Sequence, residues 1–98
     1  MIYVIATITI KPGSAASVFE AADPCVKATR KETGCISYDL TQSMHDENTL
    51  IFVERWESYD NLKNHFNEPH MLLWREKGAE FILDRNIEII NPESIKQL

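Results

Sequence analysis

Two histidines, His65 and His70, flank Pro69 in the stretch NHFNEPHMLLW, and Trp74 follows one helical turn after the second. An imidazole titrates near neutral pH, so a neutral one in a partly buried site can accept a substrate proton, which is what general base catalysis asks for. His65 is the candidate base. His70, directly after Pro69, either braces the helix that begins there or touches a ligand. Trp74 shares a helix face with His70 at this spacing, and its ring belongs either to the core or to the wall of an aromatic pocket. Tyr38 shares a strand parity with Ile36 and Leu40, so its ring is buried and its hydroxyl is a core group or a proton donor to substrate. Glu54 lies between Val53 and Arg55 on a strand that also carries Phe52 and Trp56. A carboxylate there has to be paired, with a histidine or with Arg55, or held near the sheet interface. His45 falls in a polar turn and is solvated.

The elements that position these groups follow from periodicity. Ile2, Val4, Ala6, Ile8 and Ile10 alternate with Tyr3, Ile5, Thr7 and Thr9, a period of two that predicts a strand. Pro12 and Gly13 supply a tight turn, and Ser14 is placed to cap a helix. The helix is expected to run to about Thr33, kinked or split near Ala22 by Pro24, with Gly34 as its stop. CISYDLTQS and TLIFVERWE, on either side of the polar MHDEN, predict an antiparallel hairpin. Ser58 caps a short helix through Tyr59, Leu62 and Phe66, and Pro69 opens another that continues toward Gly78. RNIEIINP reads as a last short strand, and residues 92–98 as a tail. The expectation is one domain over residues 1–98.

Strand, helix, two strands, helix and strand make an α+β domain of the ferredoxin-like, split β-α-β kind, with both helical segments on one face of a four-stranded antiparallel sheet. Both faces of that sheet are apolar. Tyr3 and Ile5 oppose Ile2 and Val4, and Ile51 and Val53 oppose Leu50 and Phe52. Leaving large apolar side chains in water forfeits roughly 1.5–3 kcal/mol each. The simplest cover is the same sheet of a second copy, because two-fold homodimers dominate symmetric assemblies. A homodimer packed sheet to sheet is therefore expected, with a cavity where helix, sheet and partner fail to fill space. Tyr3, Ile5, Thr7 and Ile51 are expected to line that interface or cavity; Tyr3, Ile5 and Ile51, with His70 and Trp74, are expected to bind substrate, and His65 and Tyr38 are the expected catalytic pair.

Composition narrows the function classes. A formal charge of -5 without a basic cluster argues against a nucleic-acid partner, whose phosphates call for grouped Lys and Arg. No run approaches the roughly 18 apolar residues of a membrane span. The apolar N-terminus lacks a charged leader and a cleavage site and reads as a strand, so a cytoplasmic location is expected. Cys25 and Cys35 lack zinc-site spacing and read as small packed hydrophobes. Neither a metal cluster nor a dinucleotide glycine pattern is present in the sequence.

GCISYDL, HDEN, ERWES and HFNEPHM, in that order after a first strand ending in KPG, resemble the antibiotic biosynthesis monooxygenase domain, including its quinol monooxygenase members, over about Met1 to Phe81. The resemblance implies a dimeric α+β barrel and an oxygenase that needs no cofactor and acts on a quinol or polycyclic aromatic with O2. A deprotonated, electron-rich phenolate can pass an electron to dioxygen itself, so the protein has to bind the aromatic, exclude water and take a proton. The family's haem-degrading branch carries an Asn on the first strand, a Trp on the helix and a later histidine; the matching places here hold Ala6 or Thr7, His65 and Arg75, which disfavours that chemistry. The His65-to-His70 pattern is also similar to a branch that isomerises a phosphorylated autoinducer sugar. An aromatic-lined pocket favours the oxygenase, and convergent Lys or Arg favour the isomerase, with Lys63, Arg75 and Lys77 as candidates. A third reading is a non-catalytic dimeric ligand-binding module, in which His65 is dispensable.

Overall fold

A computed structural model describes the chain from Met1 to Leu98. Its elements are β1 (Ile2–Ile10), α1 (Ala15–Thr29), β2 (Cys35–Gln42), β3 (Thr49–Trp56), α2 (Tyr59–Phe66), α3 (Pro69–Gly78) and β4 (Ile82–Ile90). The four strands form one antiparallel sheet in the order β2-β3-β1-β4, the ferredoxin-like arrangement. Residues 91–98 carry no helix or strand. No helix is long and apolar enough to cross a membrane.

The period of two along β1 and β3 sorts the sheet into two faces. Ile2, Val4, Ala6, Ile8 and Ile10 of β1 are buried, as are Leu50, Phe52, Glu54 and Trp56 of β3. They carry α1, which contributes Val18, Ala22, Cys25 and Thr29, and α2, which contributes Leu62 and His65. Tyr3, Ile5, Thr7 and Ile51 belong to the other parity and stay only half-buried, while Val53 is exposed. No helix covers that second face.

Local chemistry explains most boundaries, with some departures from the sequence expectations. Ser58 caps α2, accepting the Asn61 backbone N–H at 3.2 Å, and Pro69 stands in the first turn of α3. Ser14 precedes α1, but its hydroxyl donates back to the Lys11 carbonyl at 2.6 Å instead of capping. Pro24 does not split α1, which is continuous through it. Pro24 and Glu20, four residues back, are both exposed, so water can satisfy the carbonyl that proline leaves unbonded. The helix ends at Thr29, short of Thr33, and the segment from Arg30 to Gly34 turns the chain into β2. Gly34 holds φ +82, and a Cβ there would collide with the Asn61 side chain, so only glycine lets this turn lie against α2. Strand β4 begins at Ile82, three residues earlier than the alternation suggested; a bulge places Leu83 between the Ile10–Ile82 and Thr9–Asp84 pairs and breaks the pattern.

Candidate active site

Because α2 ends at Phe66 and α3 restarts at Pro69, the two helices meet at an angle over the buried face of the sheet. A cavity of about 110 Å³ lies beneath them. Val4, Ala6 and Ile8 form part of its floor with Tyr38, Phe52 and Glu54, and His65, Phe66, Met71 and Trp74 form its roof. Arg75, Arg85 and Ile87 are exposed and define its rim. Its walls are apolar apart from Glu54, His65 and the two arginines.

His65 is the most constrained group here. Its ring is buried against Trp56, with centroids 4.8 Å apart, and meets Tyr38 edge-on at 5.5 Å. Its Nδ1 lies 2.6 Å from Glu32 Oε2, and the same oxygen lies 2.8 Å from Nε2 of His70. Where Glu32 Oε2 accepts from both rings, His65 carries its proton on Nδ1 and Nε2 is left as the acceptor. Burial pushes the His65 pKa down, partly opposed by the Glu32 carboxylate. A neutral imidazole with a free nitrogen on an apolar cavity is the state a general base needs.

Glu54 is buried on the cavity floor and accepts the indole N–H of Trp56 at 3.0 Å. Burial drives its carboxyl up to about 7, with the Trp56 bond opposing and the Glu32 charge assisting. It can hold or release a proton in the neutral range. Arg55, offered by the sequence as its partner, lies on the opposite face, where its Nε donates to Ser37 Oγ at 2.8 Å. Burial first, and then the Glu54 charge, hold the Tyr38 phenol far above its ordinary range. Tyr38 stays protonated, so its hydroxyl keeps a proton to donate in a hydrogen bond. Burial likewise raises Cys25, and raises Cys35 to about 11, so both free thiols stay protonated.

The structure brings His65, Tyr38 and Trp74 to one cavity, with His65 and Trp74 in its roof. It does not bring Tyr3, Ile5 or Ile51 there. They project from the other face because α2 and α3 roof the same parity that α1 covers. His70 also stays outside. It joins Glu32 in the wall of a broad polar groove, about 880 Å³, with Lys31, Asn64 and Asn67, and this groove opens to solvent. The groove is the larger hollow, but its single apolar lining residue gives an aromatic ligand nothing to bury against. The site residues that the sequence did not single out are Glu32 and Arg85; Glu54 was singled out there as a carboxylate in need of a partner, which is the Trp56 indole. For Glu32 the available signal was that a buried histidine needs a partner; nothing local indicated which residue. Glu32, His65 and His70 each offer a ligand atom within 4.8 Å of the others, enough in number for a divalent ion. In this structure the same atoms are joined by hydrogen bonds through Glu32 Oε2.

The fold is a ferredoxin-like split β-α-β domain, and its candidate site is a buried histidine held by a carboxylate on a small apolar cavity. The sequence model of the family described as "Antibiotic biosynthesis monooxygenase" matches residues 1–77, and the chain belongs to that family. Membership supports an oxidoreductase role of the monooxygenase kind. The chain is 32% identical to "Probable quinol monooxygenase YgiN" of Escherichia coli (strain K12), across 94% of this chain and 98% of that protein. It superimposes on the structure of Rv0793 from Mycobacterium tuberculosis with a TM-score of 0.87 at 28% identity, covering 98% of each chain. The crystal structure of PA3566 from Pseudomonas aeruginosa gives a TM-score of 0.86 at 29% identity, over 95% of this chain and 94% of that one.

Proposed function

We propose that the protein is a monooxygenase that converts a small quinol and O2 into a hydroxylated quinone and water, with His65 as the base. The observation that carries the reading is the placement of His65: Nδ1 held by Glu32 at 2.6 Å and the ring on a cavity walled by Tyr38, Phe52, Phe66 and Trp74. In this scheme Nε2 of His65 takes a hydroxyl proton from the quinol. The resulting anion gives one electron to O2, and semiquinone and superoxide join as a C–O bond. His65 returns its proton to the peroxide. Loss of the carbon-bound proton to the base and cleavage of the O–O bond then release water and leave the new carbonyl. The ordered apolar walls exclude bulk water from these steps. At about 110 Å³ the cavity is well below the roughly 300–1,000 Å³ of drug-sized ligand sites, which supports a substrate of one or two rings over a larger polycycle.

Oxygen uptake with a panel of one- and two-ring quinols, without added metal or flavin, tests the reading. We expect turnover that falls by about 10²–10⁴ in His65→Ala. Uptake at the same rate in that variant would remove His65 from the mechanism. Arg75 and Arg85 at the rim favour a second reading, isomerisation of a phosphorylated sugar by the same base. The aromatic walls favour the first. Ketose interconversion without oxygen uptake would decide for the isomerase.

We also propose that the functional unit is a homodimer joined through the uncovered face of the sheet, where Tyr3, Ile5, Ile51 and Val53 lie side by side on β1 and β3.

A further inference from the structure

The cavity carries a charge contrast that an uncharged quinol does not use. The chain has 15 acidic residues against 10 Lys and Arg, yet both charged side chains at the cavity rim are arginines. Neither is neutralised. No carboxylate pairs with Arg75 or Arg85 among the molecule's ion pairs. Arg75 spends one Nη2 donor on the Phe66 carbonyl at 3.1 Å, and the Arg85 side chain makes no hydrogen bond at all. Arg85 pairs with Ile8 across the ladder and so points to the cavity face, whereas the neighbouring Asp84 and Glu88 pair with Thr9 and Ile5 and point to the other. The nearest carboxyl inside the cavity, Glu54, is the one that burial keeps largely protonated up to about pH 7.

Resting on the reading of this cavity as an aromatic site, we propose that its ligand is an aromatic acid: a one- or two-ring quinol bearing a carboxylate that docks on Arg75 and Arg85 at the rim. The ring goes in and the anion stays out. Guanidinium forks match a carboxylate in plane and give charge-assisted hydrogen bonds stronger than neutral ones. Seating the acid at the rim directs the opposite edge of the ring toward His65 and keeps the carboxylate away from Glu54. Aromatic walls and two unpaired cations then serve one substrate instead of pointing to two.

Equilibrium binding of redox-inert probes to the intact protein, read by tryptophan fluorescence, tests this independently of turnover. The probes are 2-naphthoate, its neutral carboxamide and ribose 5-phosphate. We expect 2-naphthoate to bind about tenfold or more tighter than the carboxamide, to weaken with added salt, and to lose that preference in Arg75→Gln and Arg85→Gln. Folded variants that still bind the carboxamide exclude a general loss of the cavity. Equal affinities for naphthoate and carboxamide overturn the proposal, as does a preference that survives in both variants. Ribose 5-phosphate binding in place of naphthoate, or no binding by either naphthyl probe, also overturns it. If naphthoate binds as expected and no quinol consumes oxygen, the anion site stands and the monooxygenase reading fails.

Discussion

Glu32 Oε2 lies 2.6 Å from Nδ1 of His65 and 2.8 Å from Nε2 of His70. One carboxylate oxygen thus orients a buried ring and is itself held by a ring in the solvent-facing groove. With His65 as the proposed base, a carboxylate in this position would select the tautomer and stabilise the imidazolium as it forms. Glu32→Ala is therefore expected to lower kcat by about 10–10³-fold with a smaller change in KM. His70→Ala, which leaves the first bond intact, costs less. Steady-state oxygen uptake separates the two, and equal losses in both variants would refute the hierarchy.

Burial lowers the His65 pKa from its ordinary value of 6.5, so folding favours the neutral ring. The stability this contributes is complete above about pH 6.5 and is lost as pH falls from there toward the lower folded value, because the unfolded chain binds the proton first. His65→Gln is expected to flatten the acid side of a stability–pH profile measured by urea unfolding. An acid limb as steep as that of the unaltered protein would assign it to other groups.

Glu54 acts with the opposite sign. Its carboxyl is raised from 4.5 to about 7, so its stabilising contribution is complete below about pH 4.5 and is lost as pH rises through 7. Glu54→Gln keeps an acceptor for the Trp56 indole and removes the buried charge. It should be more stable than the parent by roughly 1–3 kcal/mol at pH 8, with the gap closing near pH 5. A gap of the same size at both pH values would contradict the assignment.

Much of this arrangement is legible in the amino-acid order. The parity of β1 and β3, the Ser58 cap and the Pro69 restart are local signals, and each leads to the observed element. His65 and Trp74 are conspicuous because they stand on either side of that restart. What stays hidden is long-range. Glu32 and His65 are 33 residues apart and meet only because the turn after α1 is pressed against α2 by Gly34. The side on which the cavity lies depends on which parity the helices choose to roof, and both parities are apolar. Tyr3, Ile5 and Ile51 were natural choices for that reason, and they sit across the sheet from the cavity. Arg85 was obscured by the bulge at Leu83, which resets the alternation of β4.

Gly78 sets the Trp74 ring. A Cβ at this position would come within 2.9 Å of Trp74 Cζ3 and 3.0 Å of its Cη2. The ring has its other neighbours in Phe52, at a centroid distance of 5.8 Å, and the cavity. In Gly78→Ala a helix-propensity gain of about 1 kcal/mol is opposed by an overpacking cost of roughly 1–3 kcal/mol. We expect a net loss of stability, an altered near-ultraviolet signal from Trp74, and a raised KM as the ring is pushed into the cavity. Unchanged near-ultraviolet dichroism and KM would show that α3 absorbs the methyl by shifting as a whole.

The uncovered face of the sheet supplies the last prediction. Ile5 pairs with Val53, and Thr7 with Ile51, across β1 and β3, and the half-buried Tyr3 adjoins them. Each of these side chains gains on the order of 1 kcal/mol or more if a second sheet removes it from water. A charge placed in the middle of such an interface faces its own copy across the two-fold axis, adding like-charge repulsion to desolvation. Ile5→Lys should therefore convert a dimer into a monomer in sedimentation velocity at micromolar concentration. Because Ile5 faces away from the cavity, residual oxygen uptake by that monomer would show that one chain suffices for the chemistry, whereas its complete loss would tie the site to the assembly. A parent protein that already sediments as a single chain would remove the dimer from the account.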